Sequence, residues 1–189
     1  MKYLLIGGTF NPIHYGHLFL ADEVKNALGY DTVLFIPAYS PVHKRSEKLV
    51  DARHRLAMLE IAVRNYREFS IETCELERKG ASYSIDTIHF LTRKYGWKEK
   101  PGFVIGDDLI KDFHKWKKPE ELSRIVDLIV VHRKFSERLE FDLPHLYVDN
   151  LIMPISSSII RERLQAKKNV RFLLPDNVLG YIEKYGLYH

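Results

Sequence analysis

The 189-residue chain is poor in cysteine. Cys74 is its single cysteine. An internal disulfide requires two cysteines, and a cysteine-based zinc cluster requires several, so the sequence excludes both kinds of cross-link. The hydrophobic fraction of 46% and the aromatic fraction of 12% provide enough apolar surface for a core without cross-links. The same aromatic content argues against intrinsic disorder.

The sequence also lacks a long apolar run near its start and a strong charge excess. Tyr3–Ile6 is too short for a signal peptide or a membrane span, so we expect a cytoplasmic protein without membrane contact. The 29 basic and 25 acidic residues give a net charge of +4 and are interleaved along the chain. Because no basic block reaches five residues, the composition does not favour a nucleic-acid partner.

Short apolar runs alternate with longer segments of helical period. The runs predict strands over Tyr3–Ile6, Thr32–Ile36, Ser70–Glu75, Phe103–Ile105 and Leu128–Val131, with a further apolar stretch over Tyr147–Ile155. The helical segments are Gly16–Leu28, Ala52–Arg64, Ile85–Lys94, Ile159–Ala166 and Asn177–Lys184. This alternation predicts an α/β fold with a Rossmann-like, doubly wound parallel sheet. We expect one domain over 1–189, in which roughly 157–189 form a helical C-terminal part.

The loop after the first predicted strand reads GGTFNPIHYGH over residues 7–17. Its glycines allow close backbone approach and expose N–H groups. The spacing is not G-x-G-x-x-G, and the second strand ends in Pro37 with no acidic residue nearby, so a dehydrogenase is not favoured. His14 and His17 share one face of a helical turn, where imidazole donors and the helix N-terminus suit a phosphate. The other interpretations are a structural histidine pair and a metal site, for which no third ligand stands at recognisable spacing.

A second anion-binding pattern occurs near the other end of the chain. Ser156, Ser157 and Ser158 precede an amphipathic run and are typical helix N-cap residues. No Glu or Gln stands three residues after any of them, so no capping box forms. The helix N-terminus, with Arg161 one turn in, therefore suits a triphosphate tail.

The loop at 7–17 resembles the signature of the adenylyltransferase branch of the H-x-G-H nucleotidyltransferases. The chain as a whole is similar to the bacterial nicotinate-nucleotide adenylyltransferases, with Asn11 where that family more often has Asp. The resemblance implies transfer of AMP from ATP to nicotinate mononucleotide, which yields deamido-NAD and pyrophosphate. It implies Mg²⁺ carried by the ATP phosphates and no metal site of the protein's own. His14, His17, Lys44 and Arg161 would supply donors and positive charge for catalysis.

The resemblance also assigns the ATP site. Residues 155–161, ISSSIIR, resemble I-S-S-T-x-I-R, with Ser158 in place of Thr. By that match Ser157, Ser158 and Arg161 hold the β- and γ-phosphates. Gly106 and Asp108 match the family's G-x-D. The implied ATP-binding residues are Gly8, Thr9, Phe10, His14, His17, Gly106, Asp108, Ile155, Ser157, Ser158 and Arg161.

The implied acceptor site consists of Lys44, Ser84, Trp116 and Lys117. The segment 78–87 resembles R-x-G-x-S-Y-T-x-D-T, with Ser84 where Thr is usual, and would face the nicotinate carboxylate. Trp116 would stack on the pyridine ring, because an aromatic face attracts a cationic pyridinium, although a core aromatic is the other interpretation. Lys117 would contribute its backbone N–H to the carboxylate, and Lys44, in a loop that resembles P-x-x-x-P-P-H-K, would approach the phosphates or the mononucleotide.

Two alternatives stay open from the sequence. The first is an adenylyltransferase with another acceptor, either nicotinamide mononucleotide or phosphopantetheine; Ser84 and Trp116 argue against phosphopantetheine. The second is a non-catalytic nucleotide- or RNA-binding module, which a steep salt dependence of RNA binding would favour. The roles of Asp107 and Arg133 and the existence of a homo-oligomer are left open.

Overall fold

A six-stranded parallel sheet forms the centre of the computed structural model, which describes residues 1–41, 49–134 and 137–188. In chain order the strands are β1 (Tyr3–Gly8), β2 (Thr32–Pro37), β3 (Ser40–Pro41), β4 (Phe69–Ile71), β5 (Ala81–Ser82), β6 (Gly102–Gly106), β7 (Asp127–Val131) and β8 (Leu146–Val148). The large sheet has the order β4-β2-β1-β6-β7-β8, and β3 pairs with β5 in a small parallel ladder. The predicted doubly wound α/β class is confirmed.

Helices connect the strands. They are α1 (Tyr15–Leu28), α2 (Ala52–Val63), α3 (Cys74–Arg78), α4 (Ser84–Tyr95), α5 (Pro119–Ile125), α6 (Ser157–Gln165) and α7 (Asp176–Tyr185), with a 3₁₀-helix over Asp107–Lys115. The described part of the chain includes no helix that has the length and apolar character needed to cross a membrane. The predicted strand Ser70–Glu75 is wrong beyond Ile71, because the chain turns into α3 and the amide of Glu77 bonds the carbonyl of Thr73.

The sheet separates two apolar layers, since successive strand side chains point to opposite faces. On one face, Leu4 and Ile6 of β1 belong to a core that includes side chains of α1, α2, α6 and α7. On the other face, Leu5 belongs to a core built with α4, α5 and the 3₁₀-helix. The C-terminal helices α6 and α7 therefore pack on the same core as the first strand.

The order of the sheet reverses beside β1. This strand pairs with β2 on one side and with β6 on the other, and all three run parallel. Their carboxyl ends, which include Gly8 of β1 and Gly106 of β6, lie at the same edge. Ligands of open parallel sheets bind in the crevice at such a switch point.

Candidate active site

The loop between β1 and α1 is held in place by Phe10. This residue has a φ of 46° and a buried ring that packs edge-on against His17 at 5.2 Å and Phe35 at 5.8 Å. A Cβ at position 8 would lie 3.0 Å from the Phe10 ring, so Gly8 is the residue that leaves room for it. The sequence-predicted loop residues Gly8, Thr9 and Phe10 therefore lie at the carboxyl edge of β1.

The two histidines of the loop lie against each other at the start of α1. Their ring centroids are 3.7 Å apart and the rings are tilted by 31°. His14 is the N-cap residue of α1, and its carbonyl accepts the amide hydrogen of His17. The Nδ1 atom of His14 is buried and makes no hydrogen bond to any residue within the described ranges. Both imidazoles thus stand where the positive end of the α1 dipole meets the crevice.

Burial determines the charge of His14. Removal from water, with a smaller contribution from the positive charge of Arg133, lowers the pKa of His14 to about 3. The imidazole is therefore neutral at pH 7. The expectation that His14 supplies positive charge is wrong for this structure, because the folded environment favours the uncharged ring. A neutral ring still offers one N–H donor to a ligand.

A pH-dependent loss of stability follows from the lowered pKa of His14. Between pH 6.5 and about 3 the unfolded chain binds a proton at this position while the folded chain does not, so the free energy of unfolding falls as pH falls. The slope from this residue approaches about 1.4 kcal/mol per pH unit. Urea unfolding at pH 6.5, 5.5 and 4.5 measures it. His14→Asn should remove that part of the slope, and equal slopes in both proteins would contradict the assignment.

The N-terminus of α6 packs directly on the β1–α1 loop. Ser156 caps the helix by accepting the amide hydrogen of Ile159, which confirms the N-cap interpretation. The Ser157 hydroxyl donates to the carbonyl of Pro12 at 2.9 Å. The structure thereby brings together two segments that are about 145 residues apart in the sequence.

Arg161 strengthens this contact. Its guanidinium donates from Nη1 to the carbonyl of Asn11 at 2.8 Å and from Nη2 to the hydroxyl of Ser158 at 3.2 Å. The Asn11 side-chain oxygen accepts from the hydroxyl of Tyr188 at 2.8 Å and from the amide of Val50 at 3.3 Å. An Asp carboxylate would accept the same bonds, so Asn at this position preserves the local geometry.

A cleft of about 230 Å³ opens beside these segments. His14, His17, Asp108 and Ile155 line it, as the predicted ATP site requires them to share one space. A Cβ at position 16 would lie 3.0 Å from Nδ1 of His14 and 3.5 Å from the carbonyl oxygen of Ile155. Gly16 therefore lets the first turn of α1 approach the α6 segment closely.

Residues that follow β6 and β7, among them Asp108 and Arg133, form another wall of the cleft. A Cβ at position 106 would overlap both the Asp108 carboxylate and the Arg133 side chain, so Gly106 leaves room for these two side chains in their present places. Asp108 and Arg133 form a partly exposed ion pair at 3.6 Å. Asp107 is fully buried and accepts the backbone amides of Arg133 and Lys134. This carboxylate therefore holds the loop after β7 in place.

Among the predicted acceptor residues, Lys117 brings the chain after the 3₁₀-helix against the start of α4, where Ser84 lies. Trp116 ends the 3₁₀-helix and stacks on Phe113 with a centroid distance of 4.8 Å. The Lys117 ammonium bonds both carboxylate oxygens of Asp86 and lies 4.9 Å from the Tyr83 ring. Since Ser84 stands between Tyr83 and Asp86 in the first turn of α4, the structure places the two acceptor segments side by side.

Lys44 lies outside the described residues. The chain that leads toward it is described as far as Pro41 and runs beside the segment before α4, because Ser40 pairs with Ala81 in the β3–β5 ladder. The amide of Tyr39 also donates to the hydroxyl of Ser82 at 3.1 Å.

Arg55 is a buried residue at the site that the sequence analysis missed. It is 1% exposed and its guanidinium donates to backbone carbonyls of the loop after β1 and of the chain after β2. A signal existed, because Arg55 stands three and four residues before the buried Met58 and Leu59, on the apolar stripe of α2. A charged residue at such a position is buried in the core only when polar partners surround it.

Together the fold and the site define a nucleotidyltransferase. The cytidylyltransferase-like family matches residues 5–163, and the chain belongs to this family. Similar proteins identify the branch of this family more closely. A protein of Borrelia hermsii named "Probable nicotinate-nucleotide adenylyltransferase" is 45% identical over 188 residues, which cover 100% of this chain and 98% of the relative. A protein of the same name from Streptococcus pyogenes is 40% identical over 97% of this chain and 87% of its own length. The chain is thus a member of the nicotinate-nucleotide adenylyltransferase family.

Solved structures share the fold. The nicotinic acid mononucleotide adenylyltransferase of Plasmodium falciparum, complexed with NaAD, has a TM-score of 0.80 at 24% identity and covers 100% of this chain and 98% of its own. The same enzyme complexed with APC has a TM-score of 0.79 at 22% identity, with the same coverage. At these identities the likeness concerns the fold alone.

Proposed function

We propose that the chain transfers the AMP group of ATP to nicotinate mononucleotide, forming deamido-NAD and releasing pyrophosphate. The observation that carries this proposal is the meeting of the β1–α1 loop with the N-terminus of α6 beside one cleft at the switch point of the sheet. Two helix N-termini and their donors converge there, which suits a polyphosphate. The names of the curated relatives support the choice of acceptor.

The reaction is a direct displacement. A phosphate oxygen of the mononucleotide forms a bond to the α-phosphorus of ATP as the bond to the bridging oxygen breaks, and pyrophosphate leaves with that electron pair. The protein aligns two anions that repel each other and stabilises the leaving charge. His14 and His17 offer imidazole donors at the start of α1, and Arg161 supplies fixed positive charge beside Asn11. No covalent enzyme intermediate is required.

The cleft also accommodates the adenosine part of ATP. Leu20, Leu151 and Met153 line the cleft together with the polar groups of His14 and Asp108. Small-molecule sites combine apolar walls with a few polar groups in this way. We propose that the purine contacts the apolar residues and that Asp108 accepts a hydrogen bond from the ribose.

The residues around Trp116 and the start of α4 form the proposed site for nicotinate mononucleotide. Trp116 is half-buried against Phe113 and would offer its ring to the pyridinium of the mononucleotide. Backbone amides near Ser84 and Lys117 would bind the nicotinate carboxylate. The Lys117 ammonium itself is paired with Asp86, which agrees with a role for its main chain rather than its charge.

Magnesium fits this site as a companion of ATP. Mg²⁺ keeps several waters and binds largely through the substrate phosphates, so ATP would carry it into the cleft. The described residues contain no group of three or more His, Cys, Asp or Glu side chains that could hold a metal by themselves. When bound, Mg²⁺ neutralises charge on the phosphates that leave. We propose a cytoplasmic enzyme whose partners are these small molecules.

A panel of acceptors tests the proposed reaction. The chain is incubated with Mg-ATP and nicotinate mononucleotide, nicotinamide mononucleotide or phosphopantetheine, and pyrophosphate release is measured. We expect kcat/KM to be highest for nicotinate mononucleotide, by at least about tenfold over the carboxamide analogue, because a site built for a charged acceptor leaves its donors unpaired with the wrong one. Preference for either other acceptor would refute the substrate assignment.

A further inference from the structure

Arg55 joins three separate segments of backbone. Its Nη1 atom donates to the carbonyl of Thr9 at 2.8 Å and to that of Ala38 at 2.7 Å. Its Nη2 atom donates to Tyr39 at 3.3 Å, and its Nε atom donates to Val50 at 3.1 Å. One rigid guanidinium therefore sets the distance between the β1–α1 loop and both described ends of the chain that leads from β2 to α2.

These contacts extend to the acceptor segment. Tyr39, which accepts from Arg55, donates its own amide hydrogen to the hydroxyl of Ser82. The β3–β5 ladder pairs the next residue, Ser40, with Ala81. Ser84 begins α4 two residues after Ser82. Three hydrogen bonds, joined by the guanidinium of Arg55 and the backbone of Tyr39, thus lead from Thr9 in the β1–α1 loop to Ser82 in the segment proposed to bind nicotinate.

The bonding of Arg55 goes beyond what core stability requires. Within the described ranges its four hydrogen bonds all go to carbonyl oxygens, and no carboxylate of these ranges forms an ion pair with it, although the charge of Asp51 attracts it from farther away. A buried charge without an ion-pair partner is expensive to fold, so hydrophobic residues would stabilise this position more simply. The fork of donors has a geometric value, because a planar guanidinium fixes several acceptors relative to one another.

We propose that Arg55 is a positioning residue that couples the ATP site to the acceptor site and sets the distance between the two reacting groups. The inference rests on the proposed function, since it concerns the alignment of the attacking phosphate with ATP. In-line displacement is sensitive to such alignment, and an error of about 1 Å lowers the rate by about a hundredfold. Arg55 acts through the backbone, without touching substrate.

Steady-state kinetics of matched variants test the coupling. Arg55→Lys keeps the charge and loses the fork, and we expect kcat to fall about tenfold while each substrate alone binds within about threefold of wild type. Ser82→Ala breaks the same chain of bonds at its far end and should lower kcat about threefold. Arg53→Met, two residues earlier on α2 at an exposed position, is the control and should retain wild-type kinetics. Circular dichroism and thermal melting confirm that each variant is folded at the assay temperature.

Hydrogen exchange provides a readout that does not depend on turnover. In the wild type, ATP binding should slow amide exchange in residues 81–84 as well as in residues 8–17. In Arg55→Lys, ATP should still protect 8–17 and should no longer protect 81–84. A merely structural role of Arg55 would raise exchange in both regions with or without ATP.

The outcomes separate the two proposals. If folded Arg55→Lys and Ser82→Ala both keep kcat within twofold of wild type, or if ATP never protects residues 81–84 in the wild type, the coupling is refuted. If the wild type releases no pyrophosphate with nicotinate mononucleotide, the proposed function fails, and the exchange measurement with ATP still decides the role of Arg55.

Discussion

His17→Ala is expected to lower kcat by about 10²–10³-fold while the chain remains folded, because it removes one preorganised donor from the phosphate site. The ring of His17 is placed by two neighbours, His14 at 3.7 Å and Phe10 at 5.2 Å between centroids. It lies in the first turn of α1, where the helix dipole also favours an anion. Pyrophosphate release under saturating ATP and nicotinate mononucleotide measures the loss.

A second histidine variant controls for the loss of an imidazole. His145, whose Nδ1 bonds the nearby carbonyl of Leu143, lies before β8 and outside the cleft. His145→Ala should therefore keep wild-type turnover. The role of His17 would be abandoned if a folded His17→Ala enzyme turned over at a near-normal rate.

Gly106→Ala is expected to lower kcat/KM for ATP by about 10²-fold, because a displacement of about 1 Å in aligned groups has an effect of that size. The added methyl group would overlap the Asp108 carboxylate and the Arg133 side chain, so both must leave their places on the cleft wall. The movement of Arg133 also changes the charge next to His14. Kinetics with ATP as the varied substrate give the measurement.

Gly180→Ala is the matched control for this glycine. Gly180 lies inside α7, and a Cβ there would meet nothing within 4 Å. The substitution should keep activity and raise the melting temperature slightly, since alanine favours a helix more than glycine does. Wild-type ATP kinetics for Gly106→Ala would show that the cleft wall adapts, and the proposed geometry of the ATP site would be wrong.

The elements that the sequence predicted best are the buried strands. TVLFI and LIVV are continuous apolar runs, and both are central strands with helices on each face. The strand over Ser70–Glu75 was too long, because a run of residues cannot show where the neighbouring strand stops offering partners. α5 and the 3₁₀-helix were not predicted, since both are short and their ends depend on contacts with the sheet.

The candidate site residues also differ in how far the sequence predicts their positions. His14 and His17 are three residues apart, and their proximity follows from local helical geometry. Their contact with the α6 segment does not, because Ser157 and Arg161 reach the loop through tertiary packing. The position of Arg55 on the apolar stripe of α2 hints at burial, but its four carbonyl partners could not be predicted from the sequence, since they belong to three segments that only folding brings together.

The charge state of an ionisable side chain is the property that the sequence predicts least well. The net charge of +4 counts every Lys and Arg alike and treats histidine as neutral. The sequence suggested positive charge at His14, whereas its burial keeps the ring neutral. The sequence did not indicate a role for Asp107, and the structure shows its buried carboxylate accepting two backbone amides. Solvation of an ionisable group depends on what surrounds it in three dimensions, which composition does not contain.

The sequence by itself indicated the doubly wound class, because apolar runs alternate with helical segments along the chain. It predicted two phosphate motifs from residue types at short, fixed spacings, and an acceptor motif from resemblance to a family. It also excluded disulfide and cysteine–zinc chemistry, since Cys74 stands alone. Only the tertiary structure decided which groups meet at the cleft, that Arg55 and Tyr39 link the β1–α1 loop to Ser82, and that His14 is neutral. These properties arise from contacts between distant segments and from exclusion of water, and both exist only once the chain has folded.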